Sequence, residues 1–260
     1  MPVAGVDVGS VAAKAVVLDE EKKIILGRAV LPTGWNSREA GEQVLQAACR
    51  AAGVEPAGLR RVVGTGYGRV ALPFADKVVT EISCHARGAS WLFPATGVVL
   101  DIGGQDSKVI RLDENGAVAN FVMNDKCAAG TGRFLEMMAR TMEMDLDQMS
   151  EAGLTYKEDI TISSMCTVFA ESEVVSLIAQ NKETDDIVHG LNKAVASKTA
   201  ALAKRVGGEE RYMMTGGVSK NKGLVKTLEE KLGTTLVISD KAQLCGALGA
   251  ALFAMDMVQK

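Results

Sequence analysis

Short apolar runs interrupted by glycine dominate the first 123 residues of this 260-residue chain. VAGVDVG, KAVVLD, KIILGRAVL, RRVVGTG, GVVLDIGG, SKVIRLD and AVANFVM are mostly rich in β-branched residues and bounded by turn residues, which predicts strands. The stretch SREAGEQVLQAACRAAG between them predicts an amphipathic helix that ends at Gly53.

Helical periodicity replaces this pattern after residue 127. GRFLEMMARTMEM, CTVFAESEVVSLIAQ and DDIVHGLNKAVASKTAALAKRVG each predict a helix. RYMMTGG and TLVISD predict two late strands with another helix between them. The mixture of elements predicts an α/β fold.

An internal duplication is visible without gaps at a constant offset of 94 residues. DVGSVAAKAVVLD at 7–19 aligns with DIGGQDSKVIRLD at 101–113, and the match pairs Asp7 with Asp101 and Lys14 with Lys108. Each copy predicts a strand, a short glycine turn and a second strand. We therefore expect two β-hairpins, each presenting backbone N–H groups and an aspartate at its tip.

Such a tip can bind phosphate, because glycine lets a phosphate approach the backbone amides closely. The predicted donors are Gly9, Ser10 and Lys14 in the first copy and Gly103, Gly104 and Gln105 in the second. Asp7 and Asp101 could hold Mg²⁺ through water. A third glycine-rich turn, MMTGGVSKN at 213–221, predicts an adenosine cradle.

Composition narrows the function classes. With 47% hydrophobic and 23% charged residues the chain can bury one or two cores, and its net charge of -3 argues against a nucleic-acid partner. No apolar run approaches the roughly 18 residues of a membrane span, and the first residues do not resemble a signal peptide. We expect a cytoplasmic protein without a membrane partner.

The five cysteines fall into two groups. Cys49, Cys84 and Cys245 lie among small or apolar neighbours, which favours simple packing. Cys127 and Cys166 stand at apparent helix starts beside small polar residues, where free N–H groups and the helix dipole favour a thiolate. Thiolates bind iron–sulfur clusters, but a [4Fe-4S] cluster requires four. A twofold homodimer would supply four.

The paired hairpins and the TGG turn resemble the actin, sugar kinase and Hsp70 ATPase superfamily. This resemblance covers nearly the whole chain and implies a duplicated actin-like (ribonuclease H-like) fold that clamps ATP or ADP with Mg²⁺ in a cleft. It also implies halves at 1–96 and 97–260, with the small-residue helix QLCGALGAAL returning toward the first half. The residues it assigns to catalysis are Asp7, Asp101 and Gln105, and those it assigns to the nucleotide are Gly9, Ser10, Lys14, Gly103, Gly104, Gly216, Gly217, Asn221 and Gln243.

A closer resemblance rests on GTGYGR, SCHARGAS, FVMNDKCAAGTGRF, CTVFAESEV and TGGVSKN. These motifs are similar to those of the ATP-dependent activators (component A) of 2-hydroxyacyl-CoA dehydratases, such as the 2-hydroxyglutaryl-CoA dehydratase activator. The resemblance implies a homodimer with one oxygen-sensitive [4Fe-4S] cluster bridging Cys127 and Cys166 of both chains. It implies reduction by ferredoxin or flavodoxin and ATP-coupled one-electron transfer to a dehydratase.

Two alternatives stay open. The partner could be a benzoyl-CoA reductase or a double-cubane cluster protein, since the same cysteine motifs occur in those systems. A small-molecule kinase of the same fold is an alternative from another class, although the sequence after the second phosphate loop leads into NDKCAAGTGRF rather than a sugar pocket.

Overall fold

A computed structural model of the chain describes residues 1–163, 166–207 and 211–258. The chain divides into two compact units. Unit 1 comprises residues 1–96, 112–119 and 239–260, and unit 2 comprises residues 97–111 and 120–238. Among the described residues, no helix is both long enough and apolar enough to cross a membrane.

Nine strands lie within these ranges: β1 (Pro2–Val8), β2 (Ala12–Asp19), β3 (Ile25–Pro32), β4 (Val62–Thr65), β5 (Lys77–Val78), β6 (Val98–Ile102), β7 (Ser107–Leu112), β8 (Val118–Asn124) and β9 (Tyr212–Thr215). The α-helices of the described chain are α1 (Ser37–Ala52), α2 (Glu81–Leu92), α3 (Gly132–Thr141), α4 (Leu146–Ala152), α5 (Thr167–Ala179), α6 (Thr184–Val206), α7 (Lys222–Leu232) and α8 (Cys245–Asp256).

The strands form two mixed sheets with related topology. One sheet has the order β3-β2-β1-β4-β5 and the other β8-β7-β6-β9. In each sheet an antiparallel hairpin lies beside a parallel strand that follows a long crossover: β1 pairs with β2 and β4, and β6 pairs with β7 and β9. Val237 extends the second sheet by a parallel bridge to Met213, as β5 extends the first beside β4.

The central strands of the unit 1 sheet, β1 and β2, are buried on both faces. One face packs on α1 and the other on α2 and α8, so β1 is buried along almost its whole length. This explains the continuous apolar character of β1, because a strand covered on both faces needs no polar side. In unit 2, the side chains of β6 and β7 share one core with α3, α5, α6 and α7.

Most predicted elements are confirmed. The first helix ends at Gly53, which adopts the left-handed conformation and donates its N–H to the carbonyls of Arg50 and Cys49. The strand predicted for TLVISD is wrong in extent, because only Val237 bridges to the sheet. Helices α2 and α4 were not predicted, since their short apolar patterns are interrupted by polar residues.

Candidate functional site

The hairpin of unit 1 places Asp7 opposite Lys14. The two residues are register partners on β1 and β2, and Lys14 Nζ lies 3.4 Å from Asp7 Oδ2. The Gly9 N–H donates to the Ala12 carbonyl at 3.1 Å and closes the tip. The Thr33 hydroxyl, just after β3, donates to the Gly9 carbonyl at 2.8 Å. This tip is therefore held by a neighbouring strand end of its own sheet.

The hairpin of unit 2 repeats this geometry with more contacts. Asp101 and Lys108 are register partners, and Lys108 Nζ lies 3.1 Å from Asp101 Oδ2 and 2.8 Å from Asp106 Oδ1. The Thr215 hydroxyl donates to Asp101 Oδ1 at 2.8 Å. Asp101 and Lys108 are only 2% and 4% exposed. Since both carboxylate oxygens already have partners, the arrangement suits Mg²⁺ bound through water better than direct coordination.

The duplication extends beyond the hairpins. Thr65 on β4 is the register partner of Asp7, and Thr215 on β9 is that of Asp101. Each threonine precedes a glycine with φ of 87°, Gly66 or Gly216, and a short 3₁₀ helix follows. A Cβ at Gly66 would lie 2.5 Å from the Val8 carbonyl oxygen, and one at Gly216 would lie 2.3 Å from that of Ile102. Only glycine fits both positions.

Helices α2 and α8 of unit 1 also cross at matched positions. A Cβ on Gly88 would lie 2.2 Å from the Cys245 carbonyl oxygen, and one on Gly249 would lie 1.8 Å from that of Cys84. Each helix thus presents a Cys-x-x-x-Gly step to the other. Near the start of α8, a Cβ on Gly246 would lie 2.8 Å from Asp7 Oδ2 and 2.9 Å from His85 Nε2. The crossing therefore brings His85 close to Asp7.

The remaining predicted nucleotide residues have different environments. Gln105 is exposed at the hairpin tip, beside half-buried Gly103 and Gly104. Gly217 begins the 3₁₀ helix after β9, and Asn221 accepts the Leu224 N–H at 2.8 Å as the N-cap of α7. In unit 1, Ser10 is half-buried in the tip, and Gln243 is half-buried in the turn before α8.

Cys127 is exposed in the loop between β8 and α3. Its prediction as a helix-start residue is wrong, because the N-cap of α3 is Thr131 and a turn from Ala128 to Thr131 intervenes. The Asn124 side chain donates to the Cys127 carbonyl at 2.8 Å. The loop backbone, rather than a helix end, presents this thiol.

Cys166 is exposed and is the N-cap residue of α5, which confirms the predicted position. Nearby, the Ser163 N–H and hydroxyl donate to the Glu173 carboxylate, which lies two turns into α5. The residues at 164 and 165, within SSMCTVFAESEV, lie outside the described residues.

The start of α3 is bonded directly to the hairpin tip of unit 2. The Gly132 N–H donates to the Gly103 carbonyl at 2.9 Å, and the Arg133 N–H donates to the Gly104 carbonyl at 2.8 Å. These are two of the N–H groups that lack partners within a helix. The predicted phosphate loop therefore contacts the segment that begins five residues after Cys127.

The other three cysteines are buried, as their packing roles predicted. Burial raises the pKa of the Cys84 thiol to about 12, which makes it unreactive. Within the described part of one chain, no group of three or more cysteine, histidine or acidic side chains could hold a metal ion. Two exposed thiols per chain fit half of a four-thiolate site, so two chains would be required to complete it.

Several residues of the candidate site were not predicted to have a role there. Thr215 and Asp106 hold the Asp101–Lys108 pair. Asn124 holds the Cys127 loop. Their only sequence signal is proximity to a motif. The two histidines, His85 on α2 and His189 on α6, are both buried.

The model of the BadF/BadG/BcrA/BcrD ATPase family matches residues 4–254. Two actin-like half-folds, each with an aspartate-bearing hairpin and a Thr-Gly turn, are consistent with an ATPase of this kind. The chain belongs to this family.

Close relatives match over the whole chain. An activator of lactoyl-CoA dehydratase from Anaerotignum propionicum is 45% identical over 98% of both chains. The crystal structure of (R)-2-hydroxyglutaryl-CoA dehydratase component A from Acidaminococcus fermentans has a TM-score of 0.96 and 42% identity over 100% of both chains. The activator of 2-hydroxyisocaproyl-CoA dehydratase from Clostridium difficile, solved with bound ADPNP, has a TM-score of 0.94 and 42% identity, covering 100% of this chain and 96% of its own.

A ROK-family glucokinase structure from Streptomyces griseus is similar in fold alone, with a TM-score of 0.58 and 15% identity over 98% of this chain and 100% of its own. The fold is accordingly the actin-like ATPase fold that the sequence predicted.

Proposed function

We propose that this protein is an ATP-hydrolysing electron donor that activates a 2-hydroxyacyl-CoA dehydratase through a [4Fe-4S] cluster shared by two copies of the chain. The relatives at 42–45% identity are named as activators of such dehydratases. The single observation that carries the cluster assignment is the exposure of Cys127 and Cys166 in one unit, while the other three cysteines are buried.

The nucleotide part of the proposal rests on unit 2. Asp101, held by Lys108 and Thr215, would position Mg²⁺ or the attacking water. The amides of the Gly103–Gln105 tip would contact phosphate, and the Gly216 turn would approach the adenosine. Asp7 and Lys14 would have the corresponding roles in unit 1. Support comes from a similar structure that holds ADPNP.

The cluster would be held by Cys127 and Cys166 of each chain, and when bound it would supply one-electron transfer. The chain's own part is to present the two thiols. The Cys127 thiol would be presented by a loop bonded through Asn124, and the Cys166 thiol by the start of α5, where the helix dipole favours an anionic group. Ferredoxin or flavodoxin would supply the electron, and the protein would act in the cytoplasm.

The homodimer has support in α5 itself. Several apolar side chains of this helix are exposed, with Val168 and Phe169 at 63% and 66% and Val175 and Ile178 also exposed. Large exposed apolar patches mark interaction surfaces. Because the patch begins beside Cys166, a second copy packed on it would approach the thiols that a shared cluster needs.

Replacement of single cysteines tests this function. Cys127→Ser or Cys166→Ser should each remove two of the dimer's four thiolates and abolish the cluster, whereas wild type should hold about four irons per dimer. Both variants should still bind ATP, because the hairpins lie elsewhere in the sequence. Iron analysis and visible absorption of protein purified without oxygen measure the cluster content, and nucleotide titration measures ATP binding.

Cys49→Ser, Cys84→Ser and Cys245→Ser are the matched controls and should keep the cluster. An intact cluster in both Cys127→Ser and Cys166→Ser, or a complete cluster in an isolated monomer, would contradict the proposal. A colourless wild-type protein that phosphorylates a small molecule would indicate the kinase alternative. The protein could hold an intact cluster and activate no dehydratase, but activate a benzoyl-CoA reductase or a double-cubane cluster protein. In that case only the proposed partner would be wrong.

A further inference from the structure

The loop that contains Cys127 has no regular structure, and two side chains from other elements hold its backbone. Asn124, at the end of β8, donates from Nδ2 to the Cys127 carbonyl at 2.8 Å and to the Ala129 carbonyl at 3.3 Å. Lys198, on α6, donates from Nζ to the same Ala129 carbonyl at 2.6 Å. The Ala129 carbonyl is thus the point where both side chains meet.

Lys198 also packs against the loop through its aliphatic stem. Gly130 adopts φ of 84°, and a Cβ there would lie 2.8 Å from Lys198 Cδ. Ala129 is only 3% exposed. Without the ammonium this buried carbonyl would keep only the longer bond from Asn124, so the loss of the shorter, charge-assisted bond would favour a rearranged loop.

The same helix holds the segment that leads to Cys166. Asp186, near the start of α6, accepts the N–H groups of Lys157 and Glu158 at 2.6 and 2.9 Å. These two hydrogen bonds hold the pKa of Asp186 below its usual range, and the bond from Glu158 has the larger effect. Further along α6, Lys193 forms an ion pair with Asp159. Helix α6 is therefore a common support for both cysteine-bearing segments, and Lys198 is its contact on the Cys127 side.

We propose that Lys198 is a positioning residue for Cys127, which fixes the thiol for cluster binding by holding the Ala129 carbonyl. This inference rests on the proposed function, because it assumes that Cys127 is a cluster ligand. Residues that orient ligands without contacting the metal typically change affinity by about 10- to 100-fold when they are replaced.

The first measurement is the rate at which reconstituted, anaerobic dimer releases iron to a ferrous chelator. Lys198→Met keeps an unbranched apolar side chain close to the length of the lysine stem but removes the ammonium, and we expect release about tenfold faster than from wild type. Asn124→Ala removes the other donor and should act in the same direction. Lys198→Arg retains a cation and should restore slow release. Lys204→Met, an exposed position on the same helix, is the matched control and should behave as wild type.

The second measurement needs no cluster. Hydrogen exchange of the apoprotein, followed by mass spectrometry, should show faster exchange at residues 128–131 in Lys198→Met, with wild-type exchange in the rest of α6. Exchange unchanged in this loop, or iron release at the wild-type rate in both Lys198→Met and Asn124→Ala, would overturn the inference. Wild-type protein that binds no iron would overturn the proposed function and with it the role of Lys198 toward a cluster. If hydrogen exchange in the loop is nevertheless faster in Lys198→Met, the contact between Lys198 and the loop is correct, and the proposed function alone has failed.

Discussion

The two hairpins share their strand pairing but are held at the tip by different elements. In unit 1 the Gly9 carbonyl accepts the Thr33 hydroxyl, which lies in the same sheet layer. In unit 2 the Gly103 and Gly104 carbonyls accept the first N–H groups of α3. One tip is held by its own sheet, while the other is bonded to the helix that follows the Cys127 loop.

The two units also differ in the helices that follow their hairpins. Both exposed cysteines lie in unit 2. Between β3 and β4, unit 1 has the α-helix α1, whereas the described chain between β8 and β9 of unit 2 has α3, α4, α5 and α6. Of these helices, α3 is bonded through its first N–H groups to the hairpin tip of unit 2. A conformational change at the tip of unit 2 would therefore displace the start of α3. A conformational change at the tip of unit 1 would displace the end of β3.

The largest effect is expected from the aspartates. Asp101→Asn should lower ATP turnover by about a hundredfold or more, because it removes the charge that, in the proposed function, positions Mg²⁺ or the attacking water. Iron content should stay near wild type. Asp7→Asn is the matched change in unit 1. Steady-state phosphate release and iron analysis measure both, and iron loss that parallels the loss of turnover in Asp101→Asn would argue against separate sites.

A smaller effect is expected at the matched glycines. Gly66→Ala and Gly216→Ala should each lower the free energy of unfolding by about 1–3 kcal/mol, because a Cβ would meet a backbone carbonyl at a positive φ. Chemical denaturation of the apoprotein measures this. Gly58→Ala, where a Cβ would meet nothing within 4 Å, is the control. If one of the two variants loses this free energy of unfolding and the other loses none, the two turns are not structurally equivalent.

The smallest effect is expected at Thr33. Thr33→Val removes the hydroxyl that donates to the Gly9 carbonyl and should cost about 1 kcal/mol of stability. Iron release should not change, since the Thr33 hydroxyl holds the tip of unit 1, whereas Cys127 and α3 belong to unit 2. Denaturation and chelator assays on the same variant check both statements. Accelerated iron release in Thr33→Val would show that the two tips are not functionally distinct.

Much of the fold was predictable because the strands and long helices have local signals. Runs of β-branched and other apolar residues predicted β1, β6 and β7, and helical spacing predicted α3, α5 and α6. Cys166 was correctly placed at a helix start. Cys127 was not, because the turn before Thr131 is stabilised by contacts from Asn124 and Lys198, which come from β8 and from a helix more than 60 residues away.

The sequence by itself determined the duplication, the hairpins with their matched aspartates and lysines, and the two cysteine motifs, since each depends on residue type and short spacing. Only the tertiary structure decided which groups hold these motifs in place. Thr215 meets Asp101 from 114 residues away, and Lys198 meets Ala129 from 69 residues away. Such contacts have no periodicity along the chain, because they arise where sheet pairing and helix packing bring distant backbone together.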